Sequence, residues 1–180
     1  MFYTLQLNAK LQPFDRHDLE DIIDEFLSKE DLGETSGGGT LMSKEGEIEY
    51  CDIEISLNDT ANAVEKLLQK LEDIGIPKGS KLYNENFSQE IGSLEGLGLY
   101  VNGTDLPKEV YETSDINVVF DTVCEILKDV LVLTSYHEGS KDTALYFYIK
   151  GNFAEAKEQI KDFITTYPLC EKCRIIKWLK

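Results

Sequence analysis

Basic side chains are scarce in this chain: 18 Lys and Arg stand against 34 Asp and Glu in 180 residues, a net charge of −16. A surface of that sign repels phosphate backbones, which proteins bind by neutralising phosphates with Lys and Arg and releasing counterions. Nucleic acid and anionic membrane are thereby excluded as expected partners. No stretch approaches the roughly 18 consecutive apolar residues of a spanning helix. The start, Met1-Phe2-Tyr3-Thr4-Leu5-Gln6-Leu7-Asn8, lacks the basic and apolar segments of a secretion signal. A cytoplasmic location is the expectation, and there the sequons at Asn58, Asn86 and Asn102 carry no sugar.

Cysteine and histidine are also few. Cys51, Cys124, Cys170 and Cys173 are too few for a disulfide scaffold in a chain this long. His17 and His137 have no neighbouring nucleophile in a recognised register. No glycine motif ends in Gly-Lys-Ser/Thr or holds the Gly-x-Gly-x-x-Gly spacing of a dinucleotide site. The sequence therefore predicts a protein without catalytic residues, cofactor or metal.

What is present is a core: 42% of residues are apolar and 10% aromatic, ample for a folded chain of this length. The acidity is uneven. Residues 1–90 hold 20 carboxylates and 8 basic side chains, net −12, and residues 91–180 hold 14 and 10, net −4.

Residues 2–11 alternate apolar and polar, which predicts a strand ended by Pro13. Asp15 then caps a helix with Leu19, Ile22, Ile23, Phe26 and Leu27 at helical spacing, stopped at Gly33. The Thr35–Thr40 glycine segment leads through Lys44-Glu45-Gly46 into a β-rich stretch, 47–57, which reads as a hairpin. In that second arm Ile48 and Tyr50 have one parity and Cys51, Ile53, Ile55 and Leu57 the other, so a β-bulge belongs near Tyr50-Cys51. Asn58 or Asp59 caps a second helix through Ile74, closed by Gly75 and Pro77, and residues 81–83 make a returning strand.

The second half repeats this order. A strand at 97–101 and a connection at 102–114 precede a helix through Val119, Val123 and Leu127. Two hairpin arms, 131–136 and 144–149, follow. A helix begins at Gly151-Asn152 and is stopped by Pro168, and a last strand covers 174–178. The predicted fold class is α+β: two tandem βαββαβ units, 1–90 and 91–180, each an antiparallel sheet with helices on one face. The halves are expected to pack together, because a bare sheet face rich in Tyr and Ile would be a sizeable apolar patch.

That repeated order resembles ferredoxin-like domains, ligand-binding ACT domains among them. Locally, Glu34-Thr35-Ser36-Gly37-Gly38-Gly39-Thr40, Cys51-Asp52-Ile53-Glu54-Ile55, Pro77-Lys78-Gly79-Ser80 and Gly98-Leu99-Tyr100-Val101-Asn102-Gly103 resemble an uncharacterised group of small bacterial cytosolic proteins. An acidic chain without catalytic motifs is similar in character to immunity proteins that neutralise toxins. The ferredoxin-like resemblance implies a fold and no particular site.

Cys170-Glu171-Lys172-Cys173 has a spacing that suits zinc or a redox disulfide, but further paired ligands are missing and the motif follows a helix instead of opening one. A loop with one thiol turned inward is the simpler reading. Residues 33–40 suit either an anion-cradling loop or an edge strand approached closely by another backbone, and the lack of a following helix N-terminus favours the strand. Tyr100, Tyr146, Phe147, Tyr148 and Trp178 invite comparison with RNA-stacking sheets, but the basic residues are absent, so an aromatic core and an interface between the halves account for them. Glu47, Glu49, Asp52 and Glu54 cluster on one strand and are the predicted contacts for a basic protein partner, with Asp52 and Glu54 facing the same way. A small-molecule ligand held between the halves, as in ACT pairs, is the alternative.

Overall fold

The alternating apolar residues of Phe2–Leu7 form β1, which buries Tyr3, Leu5 and Leu7 on one face. In the computed structural model, which describes residues 1–178, Pro13 opens α1 (Pro13–Lys29) where a strand end was expected, and Gln12 is its cap. A proline's fixed φ and missing N–H suit the first helical position, which moves Asp15 from cap to first turn. Next come β2 (Gly33–Met42), β3 (Ile48–Leu57), α2 (Ala63–Ile74), β4 (Ser80–Tyr83) and β5 (Ser88–Ile91). The helix α2 starts later than Asn58 or Asp59. Asn58 instead donates its backbone N–H to Leu32 O at 2.8 Å and its side-chain amide to Asp31 O at 3.2 Å.

The sheet runs β2-β3-β1-β4-β5, antiparallel throughout. Leu5, Leu7, Cys51, Ile53, Ile55 and Leu82 point to the buried side with Leu19, Ile23 and Leu27 of α1 and Leu67 and Leu71 of α2. Each buried Leu or Ile contributes roughly 2 kcal/mol. The bulge is real but lies slightly earlier than expected: the register passes from Leu41↔Tyr50 to Met42↔Ile48, so Glu49 is the extra residue. It lets Ile48 and Cys51, of opposite parity, both reach the buried side.

Strand β2 itself brings almost no apolar surface, and polar residues of α1 hold it. Arg16 and Glu20 are 8% and 9% exposed. Arg16 Nε donates to Glu20 Oε1 at 2.8 Å and its Nη1 to Thr40 Oγ1 at 3.0 Å. One turn on, Asp24 Oδ1 accepts from Thr35 N–H at 2.7 Å and from its hydroxyl at 3.1 Å, beside a second irregularity that leaves Ser36 out of register.

The second unit contains β6 (Glu95–Asn102), α3 (Lys108–Thr113), α4 (Ile116–Leu127), β7 (Leu131–Glu138), β8 (Asp142–Ile149), α5 (Phe153–Thr166), a 3-10 turn at Pro168–Cys170 and β9 (Arg174–Lys177). The chain divides after Leu94. The expected 102–114 connection contains the short helix α3, begun after Pro107. Asp115 and Asn152 cap α4 and α5 by accepting from Asn117 and Ala154 N–H, each worth about 1 kcal/mol. The sheet order is β7-β8-β6-β9. Counted within each unit, both sheets read second, third, first, fourth, and the first unit appends β5, an element the sequence pattern did not announce. Leu97, Leu99, Val101, Leu145, Phe147 and Ile149 meet Val119, Val123, Leu127 and Ile160 in one core.

On the other face of that sheet Tyr146 and Tyr148 are fully buried. Trp178 stands edge-on to both, with centroids 6.0 and 5.5 Å away, and Tyr100 lies 6.2 Å from Tyr146. A Cβ on Gly98 would meet Tyr100 Cε2 at 3.1 Å and Trp178 Cδ1 at 3.6 Å, so this glycine makes room for rings.

Candidate partner-binding face

The pairing registers lay out the face of the first sheet that points away from the helices. Glu54 and Tyr83 both pair with Thr4, so strands β3, β1 and β4 place Glu54, Thr4 and Tyr83 side by side in one row. One row along, Asp52 and Lys81 flank Gln6. At the Glu54 end, Phe2 is 74% exposed, and the turn after β4 brings in Asn84 and Glu85, held by Asn86 N–H donating to Asn84 Oδ1 at 2.9 Å. Together Phe2, Tyr3, Thr4, Glu54, Tyr83, Asn84 and Glu85 line an open hollow of about 520 Å³.

Of the residues anticipated from sequence, only Glu54 reaches this hollow. Glu47 lies just before β3 and is paired with Lys10 Nζ at 2.7 Å. Glu49 is exposed at the bulge. Asp52 shares the face with Glu54 but is half-buried, and its Oδ1 has neither solvent nor a hydrogen-bond partner. Burial raises the Asp52 carboxyl above the ordinary aspartate range, the Glu54 charge adds to that, and the Gln6 hydrogen bond and Lys81 oppose it. Glu85 went unnoticed, because nothing in the sequence distinguishes one turn carboxylate from another. Neither Glu54 nor Glu85 has an ion-pair partner among the described residues.

The Asp52 environment gives a stability prediction with a definite sign. Below the ordinary aspartate range the carboxyl is protonated folded or unfolded and has no linkage. As pH rises, the folded state holds its proton longer, so ionising it at neutral pH costs stability. Asp52→Asn is expected to raise the melting temperature at pH 7 by roughly 2 °C and to leave it unchanged near pH 3. Thermal melts at the two pH values check this.

The remaining motifs serve packing. Cys170 is buried in the second core with Cys173 packed against it. Burial first, then Cys173, pushes the Cys170 thiol up to about 12, and burial raises Cys173 too. Cys51 is fully buried, its thiol raised by burial, and it donates to Leu11 O at 3.4 Å. The exposed ring of His17 is 3.0 Å from Glu20. Among the described residues no group of three or more His, Cys, Asp and Glu is placed to hold a metal ion, and no helix is long and apolar enough to cross a membrane.

The two strand orders define a tandem ferredoxin-like protein. No family model matches the chain, and no curated protein matches it. Among solved structures it is similar to the first two RRM domains of yeast poly(U) binding protein, at 10% identity and a TM-score of 0.28 over 99% of each chain. A protein from Bacteroides thetaiotaomicron is similar at 11% identity and a TM-score of 0.27, over 98% of this chain and 90% of that one. Likenesses this distant carry nothing about function, and the fold assignment rests on the strand pairing.

Proposed function

We propose that this chain is a non-enzymatic protein-binding module whose first unit engages a basic partner through the open face carrying Glu54. The observation that carries the reading is the hollow beside Glu54: two carboxylates without ion-pair partners among the described residues flank an exposed Phe2 ring, on a unit of net charge −12. Such a field speeds encounter with a positive surface and rejects negative ones, while the apolar ring supplies an anchor. Neutralising a basic protein, as an immunity or inhibitor protein does, is the role this reading favours.

Co-purification of the full chain at low and moderate salt, beside the Glu49→Lys/Glu54→Lys variant, tests it. A basic protein held by the wild type, more weakly as salt rises, and lost by the variant is expected. Recovery of no protein under either condition, or equal recovery by the variant, overturns the reading.

A further inference from the structure

We infer that the hollow bounded by Phe2, Glu54, Tyr83 and Glu85 is an anchor site for an arginine side chain of the partner, an inference that rests on the protein-binding reading and specifies its chemistry. Two carboxylates alone would be a solvated patch. Here they open onto a concavity of about 520 Å³ lined also by the aromatic residues Phe2, Tyr3 and Tyr83 and by Thr4 and Asn84. Phe2 turns 74% of its surface to solvent; Phe14 is as exposed at 75%, but Phe2 alone of the two lines the concavity beside Glu54 and Glu85. The floor is Thr4, centred between Glu54 and Tyr83 by the β1 pairings.

A guanidinium satisfies these walls better than an ammonium does. It is planar and weakly hydrated, so it lies flat on an aromatic ring, and its fork of donors reaches carboxylates on two sides at once. Cations already settle on this sheet face: Lys81 Nζ stands 5.0 Å from the centre of the Tyr83 ring, with Asp52 close enough to act on it electrostatically. Among the described residues Lys81 makes no ion pair with Glu54 or Glu85. Their charge therefore remains available to an arriving side chain, while Lys81 is a resident competitor for the Tyr83 ring on which that side chain would stack.

The test uses N-acetyl-arginine amide as probe, titrated into the full chain while ring carbon–proton NMR signals of Phe2 and Tyr83 are followed. Saturable shifts confined to the hollow are expected. N-acetyl-citrulline amide, which keeps the shape and loses the charge, should bind at least tenfold more weakly. The lysine amide should bind severalfold more weakly. Glu54→Gln/Glu85→Gln should abolish saturation with the fold unchanged, and Lys81→Met should tighten binding severalfold, a gain that structural damage does not produce. Equal response to arginine and citrulline amides, shifts spread without saturation over the acidic surface, or indifference to both variants would overturn the inference. If the probe fails while the Glu49→Lys/Glu54→Lys variant still loses its basic partner, the anchor is wrong and the binding face stands. If the variant also keeps its partner, both are wrong.

Discussion

Gly38→Ala is expected to destabilise the first unit by about 2 to 4 kcal/mol, while Gly39→Ala stays within about 0.5 kcal/mol of the wild type. The two positions are adjacent on the same strand and differ in what stands where a Cβ would go. At Gly38 it would lie 2.3 Å from Asp52 O and 2.7 Å from Glu20 Oε1. The first atom is backbone of β3. The second is held by Arg16, and His17 holds the other oxygen of the same carboxylate, so neither can step aside cheaply. At Gly39 nothing stands within 4 Å, and alanine there even lowers the entropy of the unfolded chain. Urea unfolding of both variants decides the matter. Equal midpoints would show that β2 shifts freely and that the contact at Gly38 does not fix its position.

The repeated element order was legible because each strand and helix carries its own period: Leu5 and Leu7 alternate, Leu19, Ile23 and Leu27 step by fours, and the second unit does the same. Even the bulge was readable, since a parity change between Ile48 and Cys51 has few other solutions on a strand with one buried face. The cap positions were less legible, because Pro13 can end a strand or open a helix and its φ suits both. Strand β5 was not legible at all. Ser88-Gln89-Glu90-Ile91 has no apolar alternation, and its four residues are ordered by pairing with β4.

The binding face shows the same division. The acidic strand was visible in the sequence, but side-chain accessibility was not, because it depends on distant partners. Lys10 takes Glu47, burial quiets Asp52, and the turn after β4 supplies Glu85 from outside the strand. Register alone joins Glu54 to Tyr83, through Thr4 on a third strand. No local pattern encodes a juxtaposition between residues 29 positions apart.

Arg16→Met is expected to cost about 3 kcal/mol, and the Arg16→Met/Glu20→Met double variant about 1 kcal/mol or less. The pair lies between α1 and β2 with side chains 10% and 11% exposed and 2.8 Å apart. Removing the guanidinium strands the Glu20 carboxylate with only the exposed His17 ring and strips Thr40 of its donor. Removing both charges lets two thioether chains fill the same space, which relieves the desolvation that the ion pair had to overcome. A double-mutant cycle by urea denaturation therefore has a large coupling term. A single variant costing less than about 0.5 kcal/mol would mean that water reaches the pair and solvates it. The size of the coupling also measures how β2 is held. Its one turned-in row is Thr35, Gly38 and Thr40, which face Asp24, Glu20 and Arg16 in succession along α1. With no apolar side chain to fix the strand, those three polar contacts set where Gly38 sits against Asp52, and through β3 where Glu54 emerges on the opposite face.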